Sequence, residues 1–477
     1  MRVSEYFKLN RTQAYLDFVD VPLNTDVPVF LDPNSIKSLD SVWGNELASL
    51  LQSFFDAVLK HIKADEHEQA KRLLSSLNER NEFHLGYSSG KSSGKGFGSE
   101  SATSVWNALC RSKAAKTGLL QDLEDTALLI NGIGTDMISD AVCNILRAPL
   151  IKYTQDMCTY YDIPLTPNVE SGPMWNPEKG IWEDALVPLP ITDFGKVIFI
   201  PKILVRHKIC YQFDQYYRHY LLPVMQAEHI QAETSLVFTL KSGEKKVTKK
   251  SLMKKYGKDK LAAVEQTLLR PHILEEYREA KATSPSSPLS HEAFSEIESV
   301  EKPDLEGLYS ELIALPTGRD TAEQYEVIIE KILSALFYPY LCKPTKQHKI
   351  HEGRKRIDIT YINEAKGGFF HWLSLHYSCA HIFVECKNYG KDVTNPEMDQ
   401  LSGRFSPSRG QVGILICRDV DNKELLYKRC IDTAKDQRGF ILPIVDTDLE
   451  HLINEHIDKE GNPSFDFLYT LWSKLIN

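Results

Sequence analysis

Residues 356–362, RIDITYI, and residues 381–390, HIFVECKNYG, decide how this chain is read. Each is a short run of β-branched and aromatic residues interrupted by charge, the composition of a buried strand. Side chains alternate along a strand, so Glu385 and Lys387 project to one side while Cys386 turns to the other. Asp358 is flanked by Ile357 and Ile359, whose packing anchors it while its carboxylate emerges on the opposite face. If the two strands are neighbours, Asp358 and Glu385 share one divalent cation with an ammonium beside them. Hard oxygen ligands of this kind suit Mg²⁺, or Mn²⁺, ions that keep several waters and accept a phosphate oxygen. Phosphodiester hydrolysis needs those parts: a metal to polarise the phosphoryl group and generate hydroxide, and a lysine to orient the water or offset developing negative charge.

Outward from this pair the pattern alternates between helical and extended periods. A helix is expected over Ala322–Leu336, strands over Arg356–Ile362 and His381–Lys387, and a helix over Pro396–Arg404. A strand over Gln411–Cys417, a helix over Asn422–Gln437 and a strand over Phe440–Val445 complete an α/β or α+β domain.

An E-x-K tripeptide alone arises by chance on any charged strand, but here it stands in an ordered context. Over roughly Thr317 to Val445 the chain resembles the PD-(D/E)xK nuclease superfamily, with its restriction-endonuclease-like fold, and within it the Mrr-type restriction enzymes. Asp358 and Glu385-Cys386-Lys387 occupy the signature positions. Glu326 in EQYEVIIEKIL matches the glutamate often found on the first helix, and Gln400 in EMDQLSGRF matches the glutamine on the helix after E-x-K. The resemblance implies that Asp358, Glu385, Glu326 and the main-chain carbonyl of Cys386 hold the metal, with Asp358, Glu385, Lys387 and Gln400 catalytic. It further implies a Mg²⁺-dependent endodeoxyribonuclease acting on DNA, a homodimer or higher oligomer for duplex cleavage, and a bacterial defence or restriction-type role. The alternative is a nucleic-acid- or partner-binding protein whose nuclease core is latent or inactive. Two departures stand out. Ile357 replaces the signature proline, and the long gap before Glu385 holds GGFFHWLSLHYSC, either a structural helix or a shaper of the substrate groove.

Lys391, Arg404 and Arg409 follow the active strand, placed either to position phosphates or as ordinary exposed cations. Elsewhere the basic stretch Lys241–Lys260 carries nine lysines against Glu244 and Asp259, either a backbone-binding surface or a solvated helix face. In the Gly- and Ser-rich run His84–Ser101, GYSSGKS has one residue too few between its glycines for a Walker A loop, so ATP binding is rejected there. Its Lys91 and Lys95 belong to a surface connection or to a loop that touches nucleic acid or a partner. With no ATPase motif, energy-driven licensing or sensing is expected from a second protein. Asp136 and Asp140, four apart, are read as a helix start capped by Thr135 or Asp136 before a second metal site.

The rest of the chain reads as a largely helical amino-terminal region, 1–282, with a long helix at Gly44–Lys63 and short buried strands at Lys196–Ile200 and Ser235–Leu240. Residues 283–304, TSPSSPLSHEAFSEIESVEKPD, have the composition of a linker, leaving 305–477 as the nuclease-like domain. A net charge of −9 argues against coating nucleic acid by bulk electrostatics, so any contact is local. Nine scattered cysteines without a C-x-x-C pair support neither a disulfide framework nor a zinc ribbon, and with no signal sequence or membrane-length apolar run the expected setting is the cytoplasm.

Overall fold

The carboxy-terminal half of the computed structural model is organised by a sheet of five strands: β1 (Leu341–Lys346), β2 (Asp358–Asn363), β3 (His381–Lys387), β4 (Val412–Cys417) and β5 (Phe440–Val445). The structure describes residues 1–78, 80–86, 106–346, 358–389, 393–459, 461 and 464–476. The strands lie in sequence order. β1, β2 and β3 are antiparallel, whereas β3, β4 and β5 are parallel. Parallel neighbours require crossovers, and two helices supply them: α3 (Asn395–Ser402) between β3 and β4, and α4 (Lys423–Lys435) between β4 and β5. With helices on both faces, VGILIC of β4 is buried throughout, which is why it reads as a continuous apolar run.

Other helices around the sheet include α1 (Ala322–Phe337), α2 (Gly368–His376), α5 (Asp446–Asp458) and α6 (Asp466–Ile476), with a further helix at Leu305–Ala314 beside α1. The expected helices and strands from Ala322 to Val445 are therefore present, within a residue or two at their ends; β2 is described from Asp358 onward. The aromatic insert is a structural helix, α2. It buries Phe369, Phe370 and Leu373, with Phe369 packed against Trp472 of α6 and Phe370 against Phe337 of α1.

Opposed residues in a sheet share a face, which separates two sets of side chains. Tyr361, beside Glu330 of α1, pairs with Ile382, so α1 covers the face that carries Ile382, Val384 and Cys386. Phe383 pairs with Gly413, and a Cβ at Gly413 would meet Phe405 and Leu401 within about 3 Å. The other face, carrying Phe383, Glu385 and Lys387, is thus covered by α3 and the turn after it.

The amino-terminal region is mainly helical, with a long helix at Val42–Lys63 whose cap is Ser41 Oγ, accepting from Gly44 N at 3.0 Å. Two expected strands there are corrected. Of Lys196–Ile200, Val197 to Ile200 are buried, but only Gly195–Lys196 enters a ladder; Ile198 N and Ile200 O instead bond Glu82 and Val19, so burial is met by irregular backbone. Ser235–Leu240 contributes only Phe238–Thr239, paired with Lys245–Lys246 in an exposed hairpin rather than a buried strand. The helix Thr135–Ile145 is capped by Gly134, which has no side chain to accept a bond, so neither Thr135 nor Asp136 is the cap.

Residues 283–304 hold a helix, His291–Glu298, with His291 and Phe294 buried, so this stretch is packed rather than a loose tether. Polar contacts join the regions on either side of it. Arg11 pairs with Glu330 of α1 at 2.9 Å, both nearly inaccessible, and Asp17 Oδ1 accepts from Lys343 N of β1 at 3.0 Å. Buried apolar residues from Val3 to Leu475 form one connected core. Among the described residues no helix is long and apolar enough to cross a membrane.

Candidate active site

β2 and β3 are neighbours, and their register sets Asp358 directly opposite Glu385. In an antiparallel pair such residues have Cα atoms roughly 4.5–5.5 Å apart and side chains on the same face. Like charges in that arrangement repel unless a cation lies between them. Of Asp358 only the backbone is among the described parts of the structure.

Glu385 is 1% exposed. A carboxylate buried that deeply is tolerated only when paired, and this one has a cation on each oxygen. Lys387 Nζ donates to Oε1, as expected for side chains two apart on one strand face. Arg404 Nη1 donates to Oε2 at 3.0 Å. Arg404 reaches the strand because α3 is held across this face by Leu401 over Gly413, with Met398 against Cys430 of α4, after which the chain turns at Gly403. The capping box at the start of α3, Thr394 with Glu397, fixes where that helix begins.

Gln400 lies on α3, half-buried, and its Nε2 is buried without a hydrogen-bond partner among the described residues. A buried amide donor left unmatched costs about 1–3 kcal/mol, and such groups are retained where a water or ligand oxygen completes them. Glu326 stands on α1, over the Cys386 face. Asn388, just past the end of β3, bonds Gly318 O and Thr321 Oγ1 at 3.0 Å, pinning the start of α1 to that end of the sheet, so Glu326 lies one turn in from it.

Arg409 is placed elsewhere. Its carbonyl accepts from His381 N at 2.9 Å, at the opposite end of β3 from Lys387, roughly 20 Å along the strand. Its guanidinium bonds Arg404 O and Ser406 Oγ, so it buttresses the turn that carries Arg404 and is not a direct phosphate contact beside Lys387. Lys391, and Lys91 and Lys95 in the Gly- and Ser-rich run, lie outside the described residues.

A second polar cluster at the carboxyl ends of the parallel strands escaped the sequence reading. Arg418, directly after β4, pairs with Asp446, directly after β5, at 2.8 Å, and Tyr325 of α1 lies over the Arg418 guanidinium. Burial pushes the Asp446 carboxyl up to about 6 against the pull of Arg418. The available signal was a charge immediately after each apolar strand, at the edge where open α/β sheets bind ligands.

The donor types present suit a hard divalent cation: the buried Glu385 carboxylate, an aspartate at the register position opposite it, and the strand carbonyl of Cys386 between Glu385 and Lys387. Among the described residues no three metal-binding side chains cluster.

A family model described as a domain of unknown function (DUF8370) matches residues 8–212, within the amino-terminal region and outside the five-stranded sheet. No curated protein and no solved structure matches the chain.

Proposed function

We propose that this protein is a metal-dependent nuclease that hydrolyses phosphodiester bonds of DNA, with a restriction-endonuclease-like core at residues 305–477. The observation that carries the reading is the pairing of Asp358 with Glu385 across β2 and β3, with Lys387 and Arg404 on the Glu385 carboxylate. Asp358, Glu385 and the Cys386 carbonyl would hold Mg²⁺ or Mn²⁺, which when bound polarises the phosphoryl group and acidifies water. Lys387 orients the attacking water or donates to the phosphoryl oxygens as charge grows on them. Arg404 holds Glu385 in place and adds positive charge on the substrate side. Gln400, with its free buried N–H, supplies a donor to a water or a phosphate oxygen. Duplex cleavage calls for two copies, and a defence role in the cytoplasm with a second sensing or ATPase protein follows from the Mrr-type resemblance.

One observation favours a second reading. Both Glu385 oxygens are engaged by the protein's own cations, the arrangement of a core held latent until a partner or substrate loosens it.

The deciding experiment is cleavage of plasmid and single-stranded DNA by wild type, Asp358→Ala and Lys387→Ala, each with Mg²⁺, Mn²⁺ or EDTA. Metal-dependent cutting lost in both folded variants is the expected result. No cutting by wild type under any condition moves the assignment to the latent or binding reading.

A further inference from the structure

The lysine-rich stretch 241–260 lies in the amino-terminal region, on the hairpin of Phe238–Thr239 and Lys245–Lys246 and the helix Lys249–Tyr256. Four of its lysines are accounted for within the fold. Lys245 and Lys246 pair with Glu233 and Glu244, Lys249 Nζ donates to Arg218 O, and Lys260 Nζ donates to the carbonyls of Ile130 and Ile133. Lys241, Lys250, Lys254, Lys255 and Lys258 are exposed, and none forms an ion pair among the described residues. Positions four apart on a helix are neighbours, so Lys250 and Lys254 stand together, with Lys255 adjacent and Lys258 just beyond the helix.

Lys254 and Lys255 suit the carboxyl end of the helix, and Lys255 lies over the Tyr256 ring, but clustered ammonium groups repel one another and no carboxylate among the described residues pairs with these five. The positive charge does not stop at the helix. The Lys249 contact abuts the helix on the π-helical turn Tyr216–Leu221, whose Arg218 and His219 line an open hollow of about 580 Å³ together with Lys208 and Lys281. Asp214 is the acidic side chain in that lining, paired with Arg218 at 3.4 Å.

From this geometry we infer that the helix Lys249–Tyr256 and the adjoining hollow form a docking surface for the phosphate backbone of a DNA duplex. A backbone carries closely spaced charge, and each phosphate neutralised by Lys or Arg releases a counterion, so a ridge of unpaired lysines beside a cationic hollow is matched to it. A lipid surface fits less well, because a membrane-seeking helix presents a broad apolar face, whereas this one buries Leu252 and turns lysines outward. The choice of DNA among polyanions rests on the nuclease reading; the binding itself does not, since it needs neither the metal nor Glu385.

The test is polarisation of a short labelled duplex titrated with protein in EDTA, where no cutting occurs, over a series of salt concentrations. Wild type should bind the duplex, more weakly as salt rises. The combined variant Lys250→Gln, Lys254→Gln, Lys255→Gln, Lys258→Gln should bind at least about tenfold more weakly, its salt slope shallower by about one for each phosphate no longer neutralised. A control neutralising Lys8, Lys60, Lys63 and Lys302, equal in charge and distant in sequence, should bind as wild type, and Lys254→Gln alone gives the same readout at smaller amplitude if the combined variant melts early. Unchanged binding by the combined or single variant, equal weakening in the control, or wild type captured by phosphatidylserine vesicles but not by the duplex would each overturn the assignment. Binding retained without metal-dependent cleavage would move the core to the latent or binding reading and leave this surface standing.

Discussion

The guanidinium of Arg404 lies 3.0 Å from Glu385 Oε2, while Lys387 takes the other oxygen of the same carboxylate. Two cations on one buried carboxylate divide the work between them, and substitutions should separate their roles. Under the proposed hydrolysis, Lys387→Ala removes the ammonium that faces the phosphoryl group and should lower cleavage by about 10²–10³-fold. Arg404→Ala leaves Lys387 in place but frees Glu385 to move, and should cost up to about a hundredfold, with partial recovery in Arg404→Lys. Equal losses in all three variants, measured as single-turnover rates at saturating metal, would mean that Arg404 does more than position.

Gln400 offers a separation of stability from activity. Its Nε2 is buried without a partner among the described residues, so Gln400→Met, similar in shape and apolar, should leave folding unchanged or stabilise it by up to about 1 kcal/mol. The same variant should cut about tenfold more slowly or worse. A denaturation midpoint that falls together with the cleavage rate would assign Gln400 to packing alone.

The ion pair between Arg11 and Glu330 is almost inaccessible, with side chains 8% and 0% exposed. Removing one member leaves a buried charge, so Arg11→Ala should destabilise by about 3–5 kcal/mol, tempered because Lys346 Nζ lies 3.8 Å from Glu330. Replacing both, Arg11→Met with Glu330→Leu, should recover most of that stability. Urea denaturation of the three proteins checks both statements.

His291 sits in the helix of the 283–304 stretch, its Nε2 3.0 Å from the Ala335 carbonyl of α1. Burial, with the charges of Lys202 and His456 nearby, lowers its pKa to about 3. A base whose folded pKa is depressed binds its proton first in the unfolded chain. Stability is therefore complete above pH 6.5 and falls as the pH drops towards 3, by at most about 1.4 kcal/mol per unit. Buried Glu124 and Glu298, raised to about 7, act in the opposite sense as the pH falls. The difference between wild type and His291→Gln isolates the histidine: the variant's melting temperature should decline less between pH 6.5 and 4.

The legible parts of the fold were those where one signal dominated. β3 and β4 announce themselves because strands buried on both faces are apolar without interruption, and an E-x-K at the end of such a run is conspicuous. β1 passed unnoticed because LCKPTK carries two lysines and Pro344, which a strand tolerates only at a sheet edge or a bulge, and β1 is the edge strand with a bulge between Cys342 and Thr345. The apolar runs KVIFI and SLVFTL misled for the complementary reason: one buries its side chains without a ladder, and the other has a ladder but leaves Phe238 43% exposed. That Glu385 and Lys387 share a strand face follows from alternation alone, whereas the register position of Asp358 opposite Glu385 depends on β2 pairing with β3, which alternation does not supply. Nor does it supply Arg404 as the second partner of Glu385, because the path of the chain over α3 decides where its guanidinium arrives.

The buried contacts that cross residues 283–304 have a consequence for taking the protein apart. A fragment beginning at residue 305 would strip Arg11 from Glu330, Asp17 from β1 and the His291 helix from α1 in a single cut. The sheet is thus not a detachable cartridge that can be moved onto another carrier, and a clone of the carboxy-terminal half that precipitates would report a torn core rather than an absent enzyme.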